Sequence, residues 1–81
     1  MNKLKYEDFV CCLKLGEEME FLYKRKKFSI SFSGDKCYLT EYYNIQNEQE
    51  YECIQDLIEF STIDGKHLMD IWDDIDINAI Y

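Results

Sequence analysis

Residues 28–33 alternate strictly between large apolar and serine side chains, reading Phe-Ser-Ile-Ser-Phe-Ser. Successive side chains of a β-strand point to opposite faces, so this segment predicts a strand with one apolar and one hydroxyl-bearing face. A similar alternation begins at Met19, and a third strand is expected over about residues 36–43. The basic segment 24–27 and the pair Gly34-Asp35 separate these runs and predict hairpin turns. An antiparallel meander is the simplest arrangement of the three segments.

Helical periodicity occurs before the meander. Apolar side chains recur at the i, i+3, i+4, i+7 spacing of one helical face, at Tyr6, Phe9, Val10 and Leu13. They predict a first helix over about residues 6–15, which Gly16 ends. In this helix Cys11 lies nearly opposite the apolar face, so we expect it to be the exposed thiol.

The second half contains two further helical patterns. Residues 44–49 are polar and aperiodic and predict a loop, which is followed by a short fourth strand that ends at Tyr51 and a helix that begins near Cys53. A helix start at Glu50 is the alternative. Asp64-Gly65 then breaks this helix, and Asp64 is expected to cap the next one, which ends near Asp76 before an extended tail. The apolar face of this last helix is predicted to consist of Leu68, Ile71, Trp72 and Ile75.

These elements predict an α+β fold: a three- or four-stranded antiparallel meander with an N-terminal helix and two C-terminal helices packed on one face. A chain of 81 residues builds one core, so residues 1–81 are expected to form a single domain. There is no run of about 18 apolar residues to span a membrane. The first residues do not read as a signal peptide, and we expect a cytoplasmic protein.

Residues that could support catalysis or hold a metal ion are few. His67 is the single histidine, and the four cysteines at positions 11, 12, 37 and 53 form no C-x-x-C pair. The three glycines are isolated, so no phosphate-binding loop is predicted. We therefore expect no enzymatic activity, no metal site and no cofactor.

The charge of the chain is concentrated in its second half. Residues 1–40 hold 8 basic and 6 acidic side chains, a net charge of +2, whereas residues 41–81 hold 1 basic and 11 acidic side chains, a net charge of −10. The basic footprint that nucleic-acid binding requires is limited to residues 24–27, a predicted turn, so no direct nucleic-acid contact is expected.

Two acidic stretches form the candidate partner-binding site. In an α-helix, three of the aspartates would lie opposite the apolar face, and acids at a helix C-terminus each cost about 0.3–1 kcal/mol. Such carboxylates could meet a basic groove on a partner protein in place of nucleic-acid phosphates, with tyrosine adding contact area. Increased solubility is the alternative explanation of the charge. The candidate residues are Glu48, Glu50, Tyr51, Glu52, Asp70, Asp73, Asp74 and Asp76.

The layout and charge of the chain resemble a group of phage anti-CRISPR proteins that inhibit RNA-guided nucleases of the type II-A systems. Those proteins are similarly small, acidic and single-domain, with a helix, a three-stranded meander and two following helices. The resemblance implies an anti-defence inhibitor that occupies a basic groove of a nucleic-acid-binding enzyme. Residues 38–42 (Tyr-Leu-Thr-Glu-Tyr) and 63–75 are also similar to uncharacterised small proteins of low-GC Gram-positive bacteria, a resemblance that carries no function and competes with the first.

A bacterial scaffold or regulatory protein is the alternative function. It would associate through the hydroxyl-bearing face of the sheet, either as a homodimer or with a host protein. On this hypothesis the contacts are made by Ser29, Ser31, Ser33, Tyr38, Thr40 and Tyr42.

Overall fold

The computed structural model describes residues 4–80 of the chain. Its α-helices are α1 (Tyr6–Lys14) and α2 (Ile54–Phe60), and its 3-10 helices are Ile45–Asn47 and Leu68–Asp74. The strands are β1 (Met19–Tyr23), β2 (Lys26–Ser33), β3 (Lys36–Glu41), β4 (Gln49–Tyr51), β5 (Thr62–Ile63), β6 (Lys66–His67) and β7 (Ile75–Ile80). No helix in this part of the chain is long and apolar enough to cross a membrane.

Five strands form one antiparallel sheet in the order β4-β3-β2-β1-β7. The α+β class and the meander of β1 to β4 agree with the sequence prediction. The expected three or four strands are corrected to five, because the predicted extended tail pairs with β1. Tyr23 opposes Ile75 and Phe21 opposes Ile77, so β7 adds apolar side chains to the buried row of β1. Residues 75–79 alternate between apolar and polar side chains as a strand does, but Ile75 also continues the i, i+3, i+4, i+7 spacing of the preceding segment, which favours the predicted helix.

The segment before β7 also differs from the prediction. Asp64 does not cap a helix. Asp64 and Gly65 have φ values of 55° and 77° and form the two-residue turn of the β5–β6 hairpin. Asp-Gly is a preferred pair for such turns, because both central residues need positive φ. The last helix is therefore the 3-10 helix Leu68–Asp74, which ends before β7 begins.

Two other boundaries are settled by pairing. The fourth strand exists, since Gln49 and Tyr51 oppose Leu39 and Cys37. The second helix begins at Ile54 after Cys53, so the alternative start at Glu50 is wrong. The third strand ends at Glu41 rather than near residue 43.

One face of the sheet packs against the helices. Phe28 and Ile30 are buried there, as predicted, while Phe32 is only partly buried. The helical segments contribute Phe9, Leu13, Leu57, Ile71 and Trp72 to the same core. The opposite face carries the hydroxyl-bearing side chains of β2 and β3 and is called here the open face.

Candidate functional site

Seven of the eight candidate residues fall into two groups near opposite edges of the sheet. Glu48, Glu50, Tyr51 and Glu52 lie on or beside β4 and are called the β4 group. Asp70, Asp73 and Asp74, called the aspartate group, lie on the 3-10 helix that leads into β7. Because β4 and β7 are the two edge strands, their backbones are separated by four strand spacings, about 19 Å. The eight predicted residues therefore do not form one continuous surface.

The carboxylates of the β4 group have partners within the protein. Lys36 Nζ lies 3.2 Å from Glu50 Oε2 and 3.2 Å from Glu52 Oε2. These two carboxylates raise the pKa of Lys36. The hydroxyl of Thr40 donates a hydrogen bond of 2.8 Å to Glu48 Oε2. Much of the charge of this group is therefore satisfied locally.

Tyr51 contributes to the interior rather than to an exposed contact surface. Its ring packs against the core, and its hydroxyl donates a 2.7 Å hydrogen bond to Gln49 Oε1. Burial raises the pKa of this phenol. The predicted contact role does not fit this environment.

The aspartate group has a different environment. Asp70, Asp73 and Asp74 are all exposed, and none forms an ion pair within residues 4–80. In a 3-10 helix, side chains three residues apart eclipse one another, and each residue rises about 2.0 Å. Asp70 and Asp73 therefore share one edge about 6 Å apart, which corrects the α-helical angles expected from the sequence.

Asp76 does not belong to this helix. It lies on β7, is exposed, and opposes Leu22 on the open face of the sheet. The prediction that it trails an α-helix is therefore wrong, and the unfavourable interaction of C-terminal acids with the helix dipole concerns Asp73 and Asp74.

An aromatic cluster fixes the 3-10 helix to α1. The Trp72 ring centroid lies 4.6 Å from that of Phe9 and 5.7 Å from that of Tyr6, the latter in an edge-on arrangement. Trp72 Nε1 donates a 3.0 Å hydrogen bond to the carbonyl oxygen of Leu4. Burial raises the pKa of the Tyr6 phenol, and the negative charge of Asp70 raises it further. The aspartate group is thus carried by a packed element.

The open face contains a charged network that the sequence did not reveal. Lys27 Nζ lies 3.2 Å from Glu20 Oε1 and 4.9 Å from the centroid of the Tyr42 ring. The Tyr42 hydroxyl donates a 2.7 Å hydrogen bond to Glu20 Oε2. The side chains come from three strands or their ends, so only the strand register brings them together.

The residues considered for catalysis or metal binding are dispersed. His67 is exposed on β6, and no group of three or more His, Cys, Asp or Glu side chains suited to a metal ion occurs in residues 4–80. All four cysteines are free thiols. Cys11 is exposed, as predicted, and so is Cys53. Burial raises the pKa of Cys37, and a hydrogen bond with Glu17 raises that of Cys12.

No protein-family profile, no curated protein and no solved structure matches this chain. The indications of function in this protein are therefore its own exposed carboxylates, those of the aspartate group.

Proposed function

We propose that the protein is a non-enzymatic binding module that occupies a basic groove on a partner protein through its aspartate group. The observation that supports this proposal is the environment of Asp70, Asp73 and Asp74. Three neighbouring carboxylates are exposed without an ion-pair partner in the described part of the chain, on an element held by aromatic packing. Lysine or arginine side chains of a partner would supply the missing counter-charges.

The preferred partner is a nucleic-acid-binding enzyme, and the aspartates act as a phosphate mimic. The rise of about 6 Å between Asp70 and Asp73 is shorter than the Debye length of about 8 Å at physiological ionic strength, so a partner experiences the carboxylates as one charged patch. The net charge of −8 favours encounter with a basic surface over long distances.

Within this proposal, the partner is a type II-A RNA-guided nuclease, and the protein acts as a phage-type anti-defence inhibitor. Such nucleases hold a guide–target duplex in a positively charged channel and contact it mainly through its backbone. A rigid patch of carboxylates matches the sign of that channel. Inhibition would arise by competition with DNA and needs no catalytic residue.

A cleavage assay tests this function. The nuclease, its guide RNA and a labelled target duplex are mixed with increasing amounts of the protein, and cleaved DNA is measured. The triple variant Asp70→Asn/Asp73→Asn/Asp74→Asn is expected to inhibit at least about tenfold less well, since each lost charge contact is worth about 0.5–1 kcal/mol.

A matched control separates the aspartate group from overall charge. The variant Glu7→Gln/Asp35→Asn/Glu59→Gln removes three exposed carboxylates elsewhere, so both variants carry a net charge of −5 instead of −8. The control is expected to inhibit like the unmodified protein. Equal inhibition by both variants would exclude the aspartate group as the contact, and absence of inhibition by the unmodified protein would exclude this partner.

The open face supports a second candidate function, a scaffold or regulatory protein that forms a homodimer or binds a host protein. Its side chains Ser29, Ser31, Tyr38 and Thr40 are not fully buried by the protein's own helices. Light scattering across a salt series distinguishes the two functions. A sheet-face dimer would persist at high salt, whereas a complex made by the aspartate group would dissociate.

A further inference from the structure

A half-enclosed cavity of about 270 Å³ lies between the sheet and the β5–β6 hairpin, away from the aspartate group. Its volume is slightly below the range of about 300–1,000 Å³ that is typical of sites for drug-sized ligands. It therefore suits one side chain or a small molecule. The lining residues are Phe28, Leu39, Glu41, Asn47, Gln49, Thr62, Ile63 and Asp64.

The accessible surface of the cavity is mostly polar and lies over buried apolar side chains. Phe28, Leu39 and Ile63 are nearly fully buried, with exposed fractions of 4%, 2% and 5%. Glu41 and Asp64 are acidic residues of the lining, and within residues 4–80 the lining contains no basic residue. A polar lining with two acidic residues favours a ligand with a cationic end, whose aliphatic arm can lie over the apolar floor.

Glu41 breaks the hydrophobic pattern of its strand. Cys37 and Leu39 of β3 are buried on the helix-covered face, and Glu41 occupies the next position on that face, opposite Phe28. Glu41 is partly buried and forms no ion pair within residues 4–80. A charge at a position that alternation assigns to the core indicates a role other than packing.

The wall between β4 and β5 is fixed by a side-chain amide. Gln49 Nε2 donates a 2.7 Å hydrogen bond to the carbonyl oxygen of Thr62, and the Thr62 backbone N–H donates a 3.3 Å bond to Gln49 Oε1. Tyr51 also donates to Oε1. Gln49 thereby substitutes for a strand partner and holds the hairpin beside the sheet, so this side of the cavity is preformed.

We propose that this cavity binds the aliphatic cationic side chain of an arginine or lysine. The methylene groups would contact Phe28 and Ile63, and the charged end would meet Glu41 and Asp64. This inference rests on the proposed function in one respect, since a basic partner protein is the source of that side chain. The cavity would then be a specific anchor, distinct from the exposed aspartate group.

Asp64 of the cavity lining already forms a weak ion pair with a lysine of the protein. Lys26 Nζ lies 3.9 Å from Asp64 Oδ1, and both side chains are 49% exposed. An ion pair of this length and exposure contributes little and is readily exchanged. A ligand cation can therefore replace Lys26 at Asp64.

Nuclear magnetic resonance titration tests the cavity with small probes in place of a partner. Backbone amide shifts are followed while N-acetylarginine N-methylamide or N-acetyllysine N-methylamide is added. The uncharged isostere N-acetylcitrulline N-methylamide is the matched control. Both cationic probes are expected to shift amides around Leu39, Gln49 and Ile63 with dissociation constants of about 1–10 mM, and citrulline to bind at least about fivefold more weakly.

Three variants complete the experiment. Glu41→Gln and Asp64→Asn are each expected to weaken the cationic probes about three- to tenfold. Lys26→Gln is expected to strengthen them about two- to threefold, because it frees Asp64. Asp35→Asn, an exposed carboxylate outside both the cavity and the aspartate group, should leave their affinity unchanged.

The outcomes separate this inference from the proposed function. Equal binding of citrulline, unchanged affinity in both cavity variants, or shifts confined to residues 70–74 would overturn it. Probe binding at the cavity together with no inhibition of the nuclease would retain the cation site and reject the nuclease as partner. The reverse result would retain the inhibitor and reject the anchor.

Discussion

At the scale of single residues, the turn between β1 and β2 has an unfavourable backbone conformation. Lys24 and Arg25 have φ values of 50° and 68°, in the left-handed region. Side chains other than glycine pay roughly 1–2 kcal/mol each there, and two-residue turns with positive φ favour Asn-Gly. The hairpin is retained because the pairing of β1 with β2 and the buried side chains of both strands outweigh that cost.

Replacing this turn should stabilise the protein. The double variant Lys24→Asn/Arg25→Gly is expected to raise the free energy of unfolding by about 1–2 kcal/mol. Urea unfolding monitored by the fluorescence of Trp72 measures the change. The control Lys24→Gln/Arg25→Gln removes the same two charges without relieving the backbone, so a similar gain in both variants would contradict the explanation.

Individual residues also show which features of the site could be predicted from the sequence and which could not. The exposure of the aspartate group follows from its position between buried residues of one helix, and the sequence predicted it. The pairing of Glu50 and Glu52 with Lys36 depends on which residues of β3 and β4 face each other. Glu41 could have been noticed, because it continues the apolar alternation of β3 with a charge.

At the scale of elements, the sequence predicted the helices and strands that show a clear apolar period within their own residues. Helix α1 and strand β2 carry clear periods of 3.6 and 2, and β1 and β3 carry a period of two that Leu22 and Glu41 interrupt. Strand β7 was missed because its pairing with β1 joins residues more than 50 positions apart, and because Ile75 also fits the helical spacing of the preceding segment. The last helix has the apolar spacing expected of an α-helix, but the β5–β6 hairpin and β7 confine it to Leu68–Asp74, where it adopts the tighter 3-10 form.

The 3-10 helix provides a prediction with opposite signs at its two ends. Asp74 lies at the C-terminal end, where a negative charge is unfavourable, so Asp74→Asn should raise the free energy of unfolding by about 0.3–1 kcal/mol. Asp70 lies in the first turn, and Asp70→Asn should leave it unchanged or lower it by a similar amount. Urea unfolding curves of the two variants test this, and a loss of stability in Asp74→Asn would contradict it. If Asp74→Asn stabilises the protein as expected, weaker inhibition by this variant cannot be attributed to unfolding.

At the scale of the whole molecule, the fold disperses a charge that is clustered in the sequence. The acidic second half supplies both edges of the sheet, and Lys36 of the first half pairs with two of the three carboxylates at one of them. The other edge retains the aspartate group without an ion pair in residues 4–80. Folding therefore leaves three neighbouring carboxylates of the 3-10 helix without a counter-charge, which is why this element rather than the total charge is the basis of the proposed function.

Titration of the whole molecule should show a one-sided loss of stability at alkaline pH. Burial raises the pKa of Cys37, Tyr6 and Tyr51, so their neutral forms are favoured in the folded state. The unfolded chain loses these protons at lower pH and then binds fewer of them than the folded chain, so stability falls as pH rises above about 8.5, the usual pKa of a thiol. The raised pKa of Lys36 acts in the same direction above its usual value of about 10.4, because its stabilising charge is lost as pH rises through the folded pKa.

Urea midpoints measured under reducing conditions should therefore be lower at about pH 10 than at about pH 8. A hydrogen bond with Glu17 also raises the pKa of Cys12, so the fall should begin at higher pH in Cys12→Ala/Cys37→Ala, which lacks both thiols, and an unchanged onset in that variant would show that these thiols do not contribute.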